Sequence, residues 1–220
     1  MFNQATVIKN KHRSANFIAN SDFFNFIHAD LTDRIQSLDK DLKDVLEVSY
    51  ELPSSGPRQL DLISFSFGLQ WVNDVQKFLA NVKSLLKPDG IFICNFPTYG
   101  SLTNLRKILF LAEESTGNQH FPHISPFIRF EDVPTLLQQA GLFENITDYE
   151  VLMLEYESPI GLMKWLKNVG ESNTLATRNH YSITKPMYKF LSNFKEPIFE
   201  DQINLVTLIA SPSKGSIRLR

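Results

Sequence analysis

Two strongly apolar stretches separated by one amphipathic stretch dominate residues 60–96. The runs "LDLISFSFGL" (60–69) and "IFICNF" (91–96) are almost continuously apolar, as the central strands of a parallel sheet require. Between them, "VQKFLANVKSLL" (75–86) puts its apolar residues on one helical face, and "KPDG" (87–90) provides a turn that ends the helix. A strand, a helix and a second strand within about 37 residues make one βαβ unit. The two strands are therefore predicted to be parallel, with a right-handed crossover.

The other hydrophobic patterns extend this alternation of strands and helices. Further helices are predicted at 23–38, 102–115, 130–141, 159–170 and 181–194, and further strands at 44–48, 145–157 and 202–211. The helix at 23–38 has an apolar stripe formed by Phe23, Ile27, Leu31, Ile35 and Leu38. The expected fold is α/β, with a mostly parallel sheet flanked by helices. We divide the chain into a helical lead-in (1–40), an α/β domain (41–211) and a C-terminal tail (212–220).

The composition argues against several classes of partner. The 220 residues carry 22 Lys and Arg against 24 Asp and Glu, and a net charge of -2 gives no general attraction to nucleic acid or to an anionic membrane. No run approaches the ~20 apolar residues of a membrane span, and the N-terminus lacks the apolar centre of a secretory signal. The lone Cys94 lies in an apolar strand, which excludes an internal disulfide and favours a buried thiol. A cytoplasmic location is expected.

From Leu60 onward, the stretch "LDLISFSFGLQWVNDVQKFLANVKSLLKPDGIFICNF" resembles the second half of a class I S-adenosylmethionine-dependent methyltransferase. More narrowly, five motifs in order resemble the branch that contains the biotin-pathway (malonyl-carrier) methyltransferase and the mitochondrial complex I assembly-factor methyltransferases. These motifs are "LQWVND" (69–74), "GSLTNLRK" (100–107), "FPHISPF" (121–127), "LLQQAGL" (136–142) and "VGESN" (169–173). The N-terminal segment is also similar to the helical lead-in of that branch. The resemblance implies a Rossmann-like fold and S-adenosylmethionine as cofactor.

One region departs from the family pattern. In the family, the first strand runs into an acidic residue and a glycine-rich turn, whose backbone approaches the cofactor. Here "DVLEV" (44–48) reproduces the strand, and Glu47 falls near the acidic position. Only 11 residues, 49–59, then separate Val48 from Leu60, and Gly56 is their one glycine. The family places two further βα units here, whereas one βαβ unit takes roughly 30 residues. We interpret the gap as a deletion, which gives a truncated Rossmann-like fold.

The deletion leaves the pairing of the strand at 44–48 open. Eleven extended residues span at most ~36 Å, which is enough to lead back to the start of a parallel neighbour without a helix. An antiparallel edge strand and a contact with a partner are the alternatives. In each case one sheet edge is short and apolar, which favours cover by the N-terminal helix or by a second subunit. A homodimer or a related protein subunit is therefore a candidate partner.

The loop after the strongest strand supplies the first candidate site residues. Gln70, Trp71, Asn73 and Asp74 follow the carboxyl end of a parallel strand, where open α/β sheets bind ligands. The resemblance implies that this loop faces the methyl donor and the substrate. We assign Gln70 and Trp71, together with Glu47, to cofactor binding, and Asn73 and Asp74 to a substrate or partner. The structural alternative is that Trp71 packs in the core and Asp74 caps the next helix.

Three more residues are candidates for contact with a substrate or partner. Tyr99 follows the next strand at the same sheet edge, where a plain turn is the alternative to a cavity wall. Arg106 can pair with a carboxylate, although solvation on a helix surface is more usual. The resemblance suggests His123 as a general base or substrate contact, whereas a histidine hydrogen-bonded to backbone is the favoured alternative. His120 lies three residues before it, but no third ligand is near in sequence, so we predict no metal site.

Two functional hypotheses of different classes follow. In the first, the protein has lost autonomous binding of S-adenosylmethionine and acts as a binding or assembly protein. In the second, it is an active methyltransferase whose donor site is unconventional or completed by a partner. Methyl transfer depends mainly on positioning donor and acceptor, so loss of the element that fixes the donor favours the first hypothesis. A gene product without a selected role is a third alternative, and we assign no catalytic residue.

Overall fold

The computed structural model describes residues 1–48, 52, 59–117, 122–176 and 183–220. Seven α-helices are described: α1 (Gln4–Ile18), α2 (Asp22–Gln36), α3 (Val75–Leu85), α4 (Thr103–Thr116), α5 (Val133–Gln139), α6 (Pro159–Asn168) and α7 (Lys185–Ser192). The five described strands are β1 (Val45–Glu47), β2 (Leu60–Ser66), β3 (Leu86–Pro97), β4 (Glu144–Tyr156) and β5 (Phe199–Ser211). Short 3-10 helices cover Leu69–Trp71 and Phe130–Asp132. Each helix and strand predicted from the hydrophobic pattern has a counterpart among these elements.

The chain forms two compact units. The unit that we call the sheet unit contains Asp22–Tyr99, Phe127–Glu150 and Leu205–Arg220. The other, which we call the helical unit, contains Met1–Ser21, Gly100–Pro126 and Val151–Asn204. The sequence division at residues 40 and 211 stays a prediction.

The five strands form one mixed sheet in the order β1-β2-β3-β5-β4. Strand β1 pairs parallel with β2, with Val45 opposite Leu62 and Glu47 opposite Ser64. Strand β2 pairs parallel with β3, which confirms the predicted βαβ unit, whereas β5 pairs antiparallel with β3. Of the arrangements considered for β1, parallel pairing is confirmed and the antiparallel edge is wrong. The α/β sandwich with helices flanking the sheet is confirmed.

The segment predicted as a plain turn, Lys87–Gly90, lies within β3. Leu60 pairs with Leu86, and the next pair is Leu62 with Ile91, so the register shifts between them. One residue of β2 therefore faces four residues of β3, which bulge out of the ladder. A Cβ on Gly90 would stand 2.7 Å from the carbonyl oxygen of Leu60, and this close approach requires glycine. The helix still ends where expected, at Leu85.

The core of the sheet unit lies on the two central strands. Ile63, Phe92 and Phe96 are fully or almost fully buried, as the apolar runs predict. Cys94 is a buried free thiol, as predicted, and burial raises its pKa well above the ordinary value. On α2, the predicted stripe is confirmed at Ile27 and Leu31. No described helix combines the length and the apolar composition needed to cross a bilayer.

A carboxylate network joins β1 to β2 at their amino ends. Asp61 in β2 accepts hydrogen bonds from the backbone N–H groups of Lys43 and Asp44, at 3.0 and 2.9 Å. The Lys87 ammonium donates to Asp61 at 2.8 Å and to Asp44 at 2.9 Å. Burial acts to raise the pKa of Asp61, but the Lys87 hydrogen bond and the two backbone donors outweigh it and lower this pKa to about 2. The network fixes the amino ends of β1 and β2 relative to each other.

Candidate functional site

The carboxyl end of β2 is shaped by one asparagine of β3. The backbone N–H of Phe67 donates to both the backbone oxygen and the side-chain Oδ1 of Asn95, each at 2.9 Å. Ser66 Oγ donates to the same Oδ1 at 3.2 Å. These contacts hold Phe67 at a φ of 46°, a left-handed conformation that costs a residue other than glycine on the order of 1–3 kcal/mol. The chain therefore leaves β2 along a constrained path.

Aromatic side chains pack at this exit. The ring of Phe67 meets Phe24 of α2 edge to face, with centroids 5.2 Å apart, and Phe23 in the same manner at 6.0 Å. Edge-to-face pairs at these distances are stabilising beyond the area that they bury. Helix α2, part of the predicted helical lead-in, thus packs against the strand end at which a ligand would be sought.

The loop after β2 places its predicted site residues in structural contacts. Gln70 and Trp71 are buried, and Gln70 Nε2 donates to the backbone oxygen of Phe67 at 3.0 Å. Asp74 accepts a hydrogen bond from the Lys77 backbone N–H at 2.9 Å and is the N-cap of α3, as the structural alternative predicted. Asn73 is exposed, as is Glu47 at the end of β1. Their assignment to a cofactor, substrate or partner stays a prediction.

Tyr99 is the most exposed aromatic residue of the predicted set. Its side chain is 66% exposed, and its backbone N–H donates to the carbonyl oxygen of Ile128 at 2.8 Å. The guanidinium carbon of Arg129 lies 5.2 Å from the centroid of the Tyr99 ring, which is a cation–π contact. Just past the carboxyl end of β3, the sheet unit therefore presents an aromatic ring with an arginine stacked on it.

In the helical unit, side chains from α4 and from the loop after α6 pin the segment 122–126. Arg106 donates to the backbone oxygens of Ile124 and Ser125, at 3.2 and 3.4 Å. Asn173 donates to the Pro122 backbone oxygen and accepts from Ser125 Oγ at 3.4 Å. Arg106 is exposed on the surface of α4, as the alternative of a solvated side chain predicts, and its guanidinium also bonds to these loop carbonyls. Its role toward a substrate or partner stays a prediction.

His123 bonds to a carboxylate in this pinned segment. Its Nε2 lies 2.8 Å from Oε1 of Glu113, whose side chain is almost fully buried on α4. The expectation that His123 bonds to backbone was therefore wrong in the identity of the partner. Sequence reasoning missed Glu113, although a signal exists: it lies on the buried face of α4 beside Leu109 and Ala112, where an ionisable group is rare unless it is paired.

The motif at 169–173 packs against α1 within the helical unit. Gly170 has a φ of +78°, and a Cβ on it would meet Ser14 Oγ at 3.0 Å and the Asn10 carbonyl oxygen at 3.1 Å. Glu171 forms a buried ion pair with Lys11 of α1. Glycine is required here both by its conformation and by the close approach of α1. This part of the resemblance therefore has a structural explanation.

A carboxylate from β5 holds the first turn of α4. The helix starts after Leu102, which is left-handed with φ 56° and provides no capping side chain. Asp201 accepts instead from the backbone N–H groups of Leu105 and Asn104, at 2.7 and 3.3 Å, and from its neighbour Gln202 at 2.9 Å. Burial raises the pKa of Asp201, although these hydrogen bonds act in the opposite direction.

The predicted residues do not come together in one unit. Those assigned to the cofactor, with Asn73, Asp74 and Tyr99, belong to the sheet unit, whereas Arg106 and His123 belong to the helical unit. Over the described ranges, no group of three or more His, Cys, Asp and Glu side chains could hold a metal ion. His120 lies outside those ranges.

Known proteins resemble the chain to different extents. A family model described as a methyltransferase domain matches residues 7–94. A Rickettsia prowazekii protein named "Putative methyltransferase RP459" is 45% identical over 214 residues, or 97% of this chain and 90% of that protein. Human "Arginine-hydroxylase NDUFAF5, mitochondrial" is 38% identical over 113 residues, or 51% of this chain and 33% of that protein. The Gallionella capsiferriformans malonyl-(acyl-carrier protein) O-methyltransferase is 29% identical over 140 residues, or 62% of this chain and 46% of that protein. The chain thus spans less than half of the last two relatives.

Proposed function

Because the chain belongs to a methyltransferase family, we propose that it keeps the family fold without autonomous binding of the donor S-adenosylmethionine, and that it functions by binding another protein. The observation that carries this proposal is the position of β1 in the sheet: it pairs with β2 on one side and is the last described strand at that edge. An intact doubly wound sheet would have further strands beyond it. Here no described strand lies beyond it to carry the acidic residue that would hold the ribose of the donor.

The length of the link between β1 and β2 supports this proposal. Twelve residues, 48–59, connect Glu47 to Leu60, and a single crossover between parallel strands takes about a dozen or more. Such a link has room to return to the start of β2. It has no room for a glycine-rich turn, a helix and a further strand, which need roughly 30 residues per βαβ unit. The residues present thus do not fit the adenosine side of the donor.

The residues after β2, which would form the other side of the donor site, also support the proposal. Trp71 is buried, Asp74 is engaged as a helix cap, and Phe67 packs against α2. If these side chains bound a ligand, they would lose the packing and capping contacts that stabilise the fold. Both relatives with partial matches are named for different reactions, an arginine hydroxylation and an O-methylation. A shared fold in this family is therefore compatible with a changed function.

The second candidate is an active methyltransferase whose donor site is completed by a partner subunit. It is favoured by the intact carboxyl ends of β2 and β3, where open α/β sheets bind ligands, and by the exposed Tyr99 ring beside them. This candidate requires the partner to supply the glycine-rich turn and the ribose-binding carboxylate. It therefore also predicts that the isolated chain does not retain the donor.

Thermal unfolding of the purified chain should be unchanged by millimolar S-adenosylmethionine or S-adenosylhomocysteine. A ligand that binds only the native state adds RT ln(1 + [L]/Kd), about 2.7 kcal/mol at one hundred times Kd, so a surviving site would raise Tm visibly. The Gallionella relative serves as the positive control and should be stabilised. An upward shift in the isolated chain would overturn the proposal. A shift seen only after addition of a purified second protein would favour the partner-completed enzyme.

A further inference from the structure

The outermost strand β4 exposes apolar side chains along its first half. It comes last in the strand order, with β5 as its one neighbour in the described sheet, and its 13 residues exceed the usual strand length. Phe143 just before it is 58% exposed, and Ile146 and Tyr149 within it are 40% and 46% exposed. Native edge strands are commonly protected from pairing by charged side chains, especially Lys, or by Pro. Strand β4 contains carboxylates but neither Lys nor Pro.

The sequence segment that forms this edge is acidic. Residues 127–150 carry five carboxylates against the single Arg129. Two of the carboxylates are engaged: Glu144 accepts from backbone N–H groups at 216 and 217, and Asp148 pairs with Arg34. The other three are exposed and have no ion pair within the described part of the chain: Glu131, Asp132 and Glu150. Among the described residues, the edge thus combines a strand with one paired side, exposed apolar side chains and three carboxylates without an ion pair.

An aromatic pair connects two of these charges to the strand. The rings of Phe130 and Tyr149 lie 5.3 Å apart, which brings the 3-10 helix before α5, with Glu131 and Asp132, beside β4. Tyr149 keeps much of its surface exposed despite this contact. Elsewhere on the sheet unit, Arg129 already stacks on Tyr99. A guanidinium on Tyr149 would repeat a contact that this unit makes with its own residues.

The negative charge of this edge favours one kind of binding partner over another. A second copy that paired antiparallel through the same strand would bring its Glu150 close to carboxylates of the first copy, and like charges facing each other across strands are destabilising. A basic extended segment would instead bring cations to these carboxylates while its backbone pairs with β4. We propose that the edge of β4 over Glu144–Glu150 binds an extended, arginine-containing segment of another protein by strand addition. The inference rests on the proposed binding function and assigns it a surface.

Fluorescence anisotropy with the whole chain and a labelled peptide of alternating arginine and valine tests this surface. We expect saturable binding that weakens with added salt, and no binding of the matched peptide with glutamate in place of arginine. Glu150→Lys should weaken binding by about tenfold or more, since it sets like charges against each other. Glu196→Lys makes the same change in net charge at an exposed position after α7 and should leave Kd within about twofold.

Amide hydrogen exchange distinguishes strand addition from general charge attraction. The bound peptide should protect backbone amides within Glu144–Glu150, because pairing at an edge occupies open N–H groups. Three results would overturn the proposal: no binding by the folded chain, equal loss in Glu150→Lys and Glu196→Lys, or a homodimer that Tyr149→Ser dissolves. Donor binding is measured separately by thermal unfolding. If the peptide does not bind and the donor does not raise Tm, the edge of β4 is not the binding surface. The proposed function would then still stand.

Discussion

Asp61→Ala is expected to lower the free energy of unfolding by about 2 kcal/mol, within the range for leaving hydrogen-bond donors without their buried acceptor. The buried Asp61 carboxylate receives two backbone N–H groups from the segment before β1 and the ammonium of Lys87. Alanine leaves these donors without their acceptor and loosens the attachment of a three-residue strand. Urea unfolding at neutral pH measures the effect. Asp41→Ala is the matched control, since Asp41 forms an exposed ion pair with Lys43 and should cost under about 1 kcal/mol.

The same network predicts a pH dependence with a definite sign. Because the pKa of Asp61 falls to about 2 in the folded protein, against about 4 in an unfolded chain, its contribution is fully present above about pH 4. The contribution is lost as pH falls from about 4 to 2 and amounts to about 2 kcal/mol. Asp61→Asn removes the negative charge and leaves a side chain of similar size. Its deficit relative to wild type should shrink over that window, and a deficit independent of pH would contradict the ion pair.

Asp201→Ala should destabilise the helical unit by about 2 kcal/mol, which is the upper range for loss of a helix cap. The carboxylate receives the Leu105 and Asn104 backbone N–H groups at the positive end of the α4 dipole, and the residue before α4 provides no side-chain cap. Alanine would leave these N–H groups without an acceptor. Chemical denaturation followed by helical circular dichroism measures the loss.

The neighbouring residue gives the control for this change. The Glu200 side chain is exposed, so Glu200→Ala should stay within about 0.5 kcal/mol of wild type. Asp201→Asn keeps one acceptor and should lie between the two. If Asp201→Ala were as stable as Glu200→Ala, the helix start would have to be satisfied by other groups.

The elements that were predictable are those whose cause is local. The apolar runs of β2 and β3 and the one-sided helix between them identified the parallel unit, because burial on both faces requires such runs. The cap at Asp74 was also predictable, since it bonds a backbone group three residues away. The irregular start of β3 was not, because the turn signal at 87–90 says nothing of the pairing between Leu60 and Leu86.

The contacts that were missed join residues distant in sequence. Asn173 reaches Pro122 across 51 positions, and Asp201 reaches Leu105 across 96. No periodicity encodes such pairs, because they depend on how helices and strands pack. Glu113 is the exception, as its place on an apolar helix face was visible in the sequence. The loss of the donor site was inferred from the shortage of residues after β1 and stays a prediction, which the position of β1 as the last described strand at its edge supports.

The reactivity of the thiol in β3 can be used to measure how often the sheet opens. Cys94 is the only cysteine in the chain and is wholly shielded, and its thiol is held protonated by burial. An alkylating reagent can react only when the central strand leaves its neighbours, so the labelling rate counts opening events of the core. For the same reason, a cysteine introduced at a surface position can be labelled with a dye or spin label while the native thiol does not react.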